Sequence, residues 1–361
     1  MAGSVMQVLH QGGGAGSVTS TLHLSLGLEQ AGVHVCFVCP PNSEVEGLAR
    51  AGGLEVHPVS LEPGARRTNA AKLEILLRQH PVDLVNSQSA RDRAALAWLV
   101  LTRRLNVPLV VTRRQMPQTM MLENWLVSRM ATRVVAVSRQ VAQALRRRGT
   151  GRKKLVVIPN GLIVSRVDAP VTTTEIDGWR DLIGWEPSRP TLGIIARRKD
   201  QEVVIRALGR VSTPVRLVMV GLTPDARLNR LVARLPARHV VVMLPFTTEV
   251  RALYELLNLV LLPSRMEGLS QSLLEAMALG KPVVASAAGG NLDLITDGMN
   301  GRLVPPRNSS AWARVIEELL SSPAAAKRLG EAARYTAREE YTLERTVERT
   351  IQLYCSVLAR T

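Results

Sequence analysis

Aromatic residues and cysteine are scarce in this sequence of 361 residues. Aromatic side chains make up 3% of the chain, with two Phe and four Tyr, so the stacking platforms that single-stranded nucleic acid needs are few. The three cysteines cannot build a disulfide framework. Cys36 and Cys39 form a C-x-x-C pair inside the apolar run VHVCFVCP, where we expect core residues rather than a redox motif. These deficits argue against a nucleic-acid binder and against a disulfide-stabilised domain.

Long hydrophobic runs and metal-binding motifs are also missing. No stretch reaches about 18 apolar residues, and the first residues show no charged segment followed by an apolar one. We therefore expect a cytoplasmic protein, or one that lies peripherally on the inner face of the cell membrane. The six histidines (10, 23, 34, 57, 80 and 239) are scattered, and neither an H-E-x-x-H nor a D-x-D motif is present. The sequence predicts no metal and no cofactor.

Positive charge is in excess. The chain has 46 Lys and Arg against 30 Asp and Glu, a net charge of +16, and six of the basic residues are lysines. This excess predicts an anionic partner, such as a membrane surface, an acidic glycolipid or, less well, nucleic acid, unless it reflects genome composition. The basic residues are densest at 146–148 and 152–154, which suits either an anionic leaflet or a solvated helix end. Segment 116–130 mixes Met and Trp with few charges, as in a membrane-touching or cleft-lining segment or a packed helix.

The chain is long enough for two domains and alternates apolar strand patterns with helical ones. This alternation predicts an α/β class with parallel sheets. Residues 162–190 lose periodicity and gain Pro, Thr and Asp, so we place a hinge at 165–174. The predicted units are therefore an N-terminal domain, a C-terminal domain and a final helix with one apolar stripe, at residues 1–165, 166–340 and 341–361.

Residues 257–290 are the most informative stretch. An apolar strand at 259–262 is followed by a polar loop, a helix at 271–279, a second apolar strand at 283–286 and Gly289-Gly290. In such a β-loop-α-β unit the strands are parallel, and the loop lies at the carboxyl edge of the sheet, where open α/β sheets bind ligands. This stretch predicts a ligand site.

Two carboxylates in this stretch, Glu267 and Glu275, are eight positions apart and cannot be neighbours on one helix face. A separation of about 10 Å suits a ligand with hydroxyls at both ends and an anion between them, held by the helix N-terminus. A nucleoside diphosphate sugar has this shape. The alternative is that Glu267 caps the helix and Glu275 is a solvated helix residue.

Three other predicted strand ends carry polar or basic residues. The first strand leads into a glycine-rich loop with Gly13 and Gly14, which lets backbone approach a ligand or simply forms a turn. It does not fit the G-x-G-x-x-G fingerprint, and Pro40-Pro41 stands where an acidic ribose binder would follow, so dinucleotide binding is rejected. Two later strands end near Gln88 and Arg114; Arg114 suits a phosphate or an acidic acceptor, or is an exposed arginine.

A cluster of cations follows the strand at 191–196. Arg197, Arg198 and Lys199 precede a predicted helix, and cations at a helix start oppose the helix dipole. Another reason for them is therefore needed. The alternative is that they are three basic residues at a solvated helix start.

The string PSRMEGLSQSLLEAMALGKPVVAS with Glu267-x7-Glu275, followed by GG and DG, resembles the signature of retaining GT-B glycosyltransferases, in particular the GT4 (group 1) family. The string KKLVVIPNG, ending at Gly161, is similar to the point where these enzymes leave their first domain. The resemblance is strongest over 257–304 and 155–161, moderate over 191–210 and weak over 40–130. It implies two Rossmann-like domains facing across a cleft, with the last helix crossing back to the first domain.

The resemblance also implies a function: metal-independent transfer, with retention, of a sugar from a nucleotide-diphosphate sugar to a glycan or glycolipid, as in lipopolysaccharide or cell-surface polysaccharide synthesis. Glu267 would hold the transferred sugar and Glu275 the ribose, while Arg197 and Lys199, with Arg198 as competitor, would hold the diphosphate. Two further groups of residues would bind the substrates. The donor would be bound by Gly13, Gly14, Gly268, Leu269 and Ser270, and the acceptor by Gln88 and Arg114.

Two departures weaken the carry-over of roles. Relatives often have histidines where Gln88 and Arg114 stand, and the loop at 197–199 is shortened. A nucleotide-sugar epimerase on the same fold would need acid and base groups that are not evident. A non-catalytic binder of sugar nucleotides or polyanions is the remaining alternative, and donor turnover would separate it from an enzyme.

Overall fold

The protein is described here by a computed structural model that covers residues 3–13, 16–117 and 121–359. The chain forms two compact units. The first contains residues 1–161 together with 342–361, and the second contains 162–341. Each unit is built on one parallel sheet, as predicted for the α/β class.

The sheet of the first unit has seven strands in the order β3-β2-β1-β4-β5-β6-β7, all parallel. The strands are β1 (Ser4–Val8), β2 (His34–Cys39), β3 (Glu55–Pro58), β4 (Leu84–Ser87), β5 (Leu109–Arg113), β6 (Arg133–Ala136) and β7 (Leu155–Val157). The intervening helices are α1 (Gly16–Gln30), α2 (Glu44–Ala51), α3 (Arg66–Gln79), α4 (Ala90–Leu101), α5 (Met121–Met130) and α6 (Arg139–Arg147). Central strands such as β5 are buried along their whole length, because helices cover both faces of a doubly wound sheet.

The sheet of the second unit has six strands in the order β10-β9-β8-β11-β12-β13, again all parallel. The strands are β8 (Thr191–Ile195), β9 (Arg216–Val220), β10 (Val240–Leu244), β11 (Leu259–Leu262), β12 (Val283–Ser286) and β13 (Arg302–Val304). The helices are α7 (Val164–Asp168), α8 (Thr173–Ile183), α9 (Gln201–Leu208), α10 (Ala226–Val232), α11 (Arg251–Leu256), α12 (Gln271–Ala278), α13 (Asn291–Leu294), α14 (Ser309–Ser321) and α15 (Pro323–Glu340).

The last helix, α16 (Leu343–Leu358), belongs to the first unit and packs on α1. The Tyr354 hydroxyl accepts hydrogen bonds from Asn86 (2.7 Å) and Gln7 (3.1 Å), and the Thr346 hydroxyl donates to the Pro159 carbonyl at 2.9 Å. This confirms that the final helix returns to the first unit.

The structure differs locally from the sequence prediction. Helix α2 was not predicted, although Ser43 caps it by accepting from the Glu46 N–H. The predicted hinge at 165–174 contains most of α7 and the start of α8, which Thr172 and Glu175 begin with a capping box. Short helices have little periodicity, so caps rather than hydrophobic pattern mark them. Among the described residues, no helix is long and apolar enough to cross a bilayer.

Candidate functional site

The loop between β11 and α12 lies at the carboxyl edge of the second sheet. Ser270 caps α12, because its hydroxyl accepts from the Leu273 N–H at 3.3 Å. The alternative interpretation that Glu267 caps this helix is therefore wrong. Gly268, Leu269 and Ser270 are buried and bring the chain into the positive end of the helix dipole.

The pair Gly289-Gly290 holds this loop from the neighbouring strand end. The Gly290 N–H donates to the Glu267 carbonyl at 3.0 Å. A Cβ on Gly290 would lie 1.8 Å from the Gly268 carbonyl oxygen, and one on Gly289 would lie 2.6 Å from the Glu267 oxygen. Gly289 also has φ +55°. Only glycine fits both positions, so the pair fixes where Glu267 stands.

An ion pair joins this loop to the turn after β8. Lys199 Nζ lies 3.1 Å from Glu267 Oε1, with the two side chains 31% and 13% exposed. The two residues meet because β8 and β11 are neighbours in the sheet. One carboxylate and one ammonium therefore stand together at the carboxyl edge, both reachable by a ligand.

Two residues that the sequence did not single out hold the turn in place. Asp200 accepts from Arg265 Nε at 3.0 Å, which ties the turn to the loop a second time. The Gln201 side chain is fully buried, accepts from the Lys199 N–H at 2.6 Å and donates to the Arg197 carbonyl at 2.9 Å. An acidic residue and an amide directly after three cations were the available sequence signal.

The other two cations of the turn differ from Lys199 and from each other. Arg198 lies 2.6 Å from both Glu202 and Asp225, so its guanidinium is engaged by two carboxylates. Arg197 is exposed, and its guanidinium lies 5.8 Å from the centre of the Phe246 ring. The structure thus brings Lys199 to Glu267 and turns Arg198 toward α9 and α10.

Glu275 lies on α12, one helix turn beyond the loop. Burial raises the pKa of its carboxyl to about 7, against the opposing effects of the Arg166 charge and of Tyr254. The Tyr254 hydroxyl donates to the Ser272 carbonyl at 3.0 Å and lies 3.5 Å from the Glu275 carboxylate. Glu275 is therefore not the solvated helix residue of the alternative interpretation.

The raised pKa of Glu275 predicts a pH-dependent stability change for Glu275→Gln. The pKa of this carboxyl is near 4.5 in the unfolded chain and about 7 in the folded protein. Its contribution to the free energy of unfolding is therefore complete below about pH 4.5 and is lost as pH rises through 7. We expect the variant to gain about 1–2 kcal/mol over wild type at pH 8 and nothing at pH 4.5, after allowance for its partial exposure. Denaturant unfolding at both pH values measures this; an equal effect at both would contradict it.

In the first unit, Gln88 and Arg114 lie within a buried polar network. Gln88 Nε2 donates to Gln7 at 2.6 Å, and Arg114 Nε donates to Gln88 Oε1 at 3.1 Å. Arg114 also donates to Asn160, and burial lowers its pKa to about 10. Arg114 is 8% exposed, so it is not the exposed arginine of the alternative interpretation.

A histidine that the sequence did not single out stands at the end of β1. His10 Nδ1 lies 2.6 Å from Ser89 Oγ and 3.1 Å from Asp92 Oδ1. Burial alone would raise the pKa of Asp92, but hydrogen bonds with His10, Ser89 and Ser87 hold it below its ordinary value. The signal was a histidine at a strand end before a glycine-rich loop. In that loop a Cβ on Gly13 would meet the Glu44 carboxylate at 2.6 Å, and Gly14 lies outside the described residues.

The prediction that the histidines are scattered is wrong for three of them. His34, His57 and His80 all lie within 3.1 Å of the Glu55 carboxylate. They come from β2, β3 and the end of α3, which the fold brings together.

Two family models match the chain. The model described as "Glycosyl transferases group 1" matches residues 189–336, and "Glycosyltransferase Family 4" matches residues 14–166. The first match contains the Lys199–Glu267 pair and Glu275. The second covers most of the first sheet.

Individual relatives of this chain are also named as glycosyltransferases. An uncharacterized glycosyltransferase of Methanocaldococcus jannaschii is 29% identical over 57% of this chain and 55% of its own length. A D-inositol 3-phosphate glycosyltransferase of Xylanimonas cellulosilytica is 31% identical over 57% of this chain and 52% of its own. The aligned part of the chain spans about half the length of these two relatives.

One solved structure is similar to this chain over nearly its whole length. HepE of Anabaena, in complex with UDP-glucose, is similar over 98% of this chain and 99% of its own, with a TM-score of 0.85 and 20% identity. This confirms the predicted GT-B fold. The two family models, which together match residues 14–166 and 189–336, show that the chain belongs to the group 1 glycosyltransferases, of the GT4 type.

Proposed function

We propose that the protein transfers a sugar, with retention and without a metal, from a nucleotide-diphosphate sugar to a hydroxyl of a glycan or glycolipid. The Lys199–Glu267 pair carries the proposal, because it places a cation and a carboxylate side by side at the start of α12. A diphosphate next to a sugar needs both: a cation for the phosphates and an acceptor for the sugar hydroxyls.

Each residue has a role in this proposal. Lys199 and Arg197 stabilise the diphosphate, together with N–H groups of Gly268, Leu269 and Ser270 at the helix start. Glu267 accepts from hydroxyls of the transferred sugar, near the carbon where positive charge develops.

Glu275 accepts from the ribose hydroxyls, and because only the ionised carboxylate accepts twice, donor affinity falls as pH drops below about 7. Arg198 orients α9 and α10 instead of binding phosphate.

In the proposed reaction, one bond breaks, one bond forms and one proton moves, and no other chemical group is needed. The bond between the anomeric carbon and the diphosphate oxygen breaks, and the acceptor oxygen bonds to that carbon on the same face. The acceptor proton passes to the departing phosphate oxygen. Fixed cations next to the diphosphate lower the barrier because negative charge grows there as the bond breaks.

We assign the donor to the second unit and the acceptor to the first. The acceptor class is a glycolipid of lipopolysaccharide or cell-surface polysaccharide synthesis at an anionic inner leaflet. A surface of α5 supports this: Met121, Leu122, Trp125 and Leu126 are 39–66% exposed, which is unusual for large apolar side chains grouped on one helix.

Basic residues adjoin this apolar surface. Asn124 donates to the Arg148 carbonyl at 3.0 Å, which joins α5 to the basic end of α6, and Arg129 lies 5.4 Å from the Trp125 ring. Lys154, by contrast, donates to three carbonyls at the end of α5 and serves the fold. Residues 118–120 of segment 116–130 lie outside the described part of the chain. Exposed apolar groups beside cations are the pattern of an interfacial helix.

If α5 contacts the membrane, we expect the double variant Leu122→Ser with Trp125→Ser to partition to vesicles containing phosphatidylglycerol about 10-fold less or weaker still, since two exposed apolar side chains that would enter the bilayer interface are lost. Co-sedimentation measures it. Ile75→Ser, at an exposed apolar position of α3, is the matched control and keeps wild-type partitioning. Equal partitioning of the double variant and the control would contradict the membrane proposal.

The proposed activity is tested by thermal-shift screening against UDP-, GDP-, ADP- and CMP-linked sugars, followed by turnover of the stabilising donor. A ligand at 100 times its Kd stabilises the fold by about 2.7 kcal/mol, which such a screen detects. Turnover in excess chelator with an unchanged anomeric configuration in the product is expected. Stabilisation without turnover across acceptors would favour the non-catalytic binder, and turnover that requires added Mg²⁺ or Mn²⁺ would refute metal independence of the transfer step.

A further inference from the structure

We propose that the first unit holds a structural zinc-class metal ion through His34 Nε2, Cys36 Sγ and Glu55 Oε2. These three residues come from neighbouring strands. His34 and Cys36 lie on one face of β2, two positions apart, and the register pairs Cys36 with Glu55 on β3. The sheet itself therefore fixes the three side chains together.

The distances between the ligand atoms match a tetrahedral ion. Cys36 Sγ lies 3.7 Å from His34 Nε2 and 3.7 Å from Glu55 Oε2, and His34 Nε2 lies 2.9 Å from Glu55 Oε2. Bonds of about 2.3 Å to sulfur and about 2.0 Å to nitrogen or oxygen give tetrahedral edges of about 3.5 Å and about 3.3 Å. Small side-chain rotations complete the fit.

The second carboxylate oxygen of Glu55 is held by two further histidines. His57 Nε2 lies 2.6 Å and His80 Nδ1 lies 3.1 Å from Glu55 Oε1, and their rings are 3.9 Å apart. A metal-ligating carboxylate is commonly oriented through its other oxygen in this way. His57 and His80 are positioning residues in this proposal.

The chemical types of the three ligand atoms determine which class of metal ion fits. One thiolate, one imidazole and one carboxylate form a mixed, borderline-soft set that suits Zn²⁺ and not Mg²⁺ or Ca²⁺, which prefer all-oxygen sites. Cys36 is 2% exposed, whereas the His34 side chain is 52% exposed, so an ion can enter from solvent and keep one position for water. Binding would release the thiol proton to solvent.

The place of the cluster separates it from the transfer reaction. His34 and Glu55 are the first residues of β2 and β3, at the amino ends of the strands, and ligands bind parallel sheets at the carboxyl ends. β3 is the outermost strand of its sheet and pairs only with β2 in the described ladder. An ion here would fasten that edge strand, so the inference stands whether or not the proposed activity is correct.

The test uses the full-length protein stripped with chelator and titrated with Zn²⁺ by calorimetry and with Co²⁺ by absorption. We expect one Zn²⁺ per chain, a raised Tm and a thiolate-to-cobalt charge-transfer band. Cys36→Ser should abolish the band, His34→Ala should weaken Zn²⁺ binding by more than about 100-fold, and His57→Ala by about 10- to 100-fold with the band retained. Cys355→Ser, at the exposed cysteine of α16, is the control and should bind as wild type.

Circular dichroism of each metal-free variant, recorded before the titration, shows whether the variant is folded. Zinc binding of Cys36→Ser equal to that of the Cys355→Ser control, or a missing cobalt band in folded wild type, would overturn the proposal. Loss of the band in His57→Ala would also overturn it, because the ligand set would then be a different one.

Discussion

Lys199→Ala and Glu267→Ala are each expected to lower sugar transfer by about 100- to 1,000-fold or more while the protein stays folded. In the proposed function, Lys199 would stabilise the charge that grows on the departing diphosphate, and Glu267 would hold the sugar beside it. The stability cost is small, because a partly exposed ion pair contributes only about 0–1 kcal/mol. Initial rates with the donor identified by thermal shift measure the effect, and urea unfolding measures the stability.

A second ion pair in the same unit provides the matched control. Lys327 and Glu331 lie 3.9 Å apart on α15 and are 79% and 67% exposed. Lys327→Ala and Glu331→Ala remove the same charges from the unit as the two test variants, and we expect wild-type transfer rates. Near-normal rates in Lys199→Ala or Glu267→Ala, or equal losses in the controls, would refute the assignment of the site.

Gly290→Ala is expected to abolish donor binding and to destabilise the second unit by about 2–3 kcal/mol or more, a fall in Tm of several degrees. The new Cβ would lie 1.8 Å from the Gly268 carbonyl oxygen, which is backbone and cannot rotate away. The loop must therefore move, and Glu267 moves with it. Thermal unfolding with and without the donor measures both effects.

Gly178→Ala is the control for this substitution. Gly178 lies on the exposed side of α8, and a Cβ there has nothing within 4 Å. We expect a gain of about 0.5–1 kcal/mol, because alanine favours a helix interior over glycine, and unchanged donor binding. If Gly290→Ala bound the donor as Gly178→Ala does, the tight contact between the two loops would not matter for the site.

The local architecture around the site was readable from contiguous residues. An apolar run closed by Pro263, a helix beginning at Gln271 and a stop at Gly280 predicted β11, α12 and β12 closely. Such elements depend on periodicity and caps, which neighbouring residues carry. The same reasoning failed at α2 and α7, since short helices offer too few residues for a period to show.

The contacts that make the site were not readable in this way. Lys199 and Glu267 are far apart in sequence and meet only because β8 lies beside β11, with β9 and β10 on its other side. Many strand orders are compatible with one alternating pattern. The sequence could therefore name the cations and the carboxylate but not decide which cation reaches it, and Arg198 was separated from Lys199 only by its contacts with Glu202 and Asp225.

By itself, the sequence determined the α/β class, the GT-B family and the residues at the strand ends, because these depend on local pattern and motif. Tertiary structure alone decided that Arg114 is buried in a polar network, that Gly290 packs on Gly268 and that three scattered histidines surround Glu55. The reason is physical: burial and side-chain contact depend on which strands become neighbours and in which register, and these are properties of the whole packed chain.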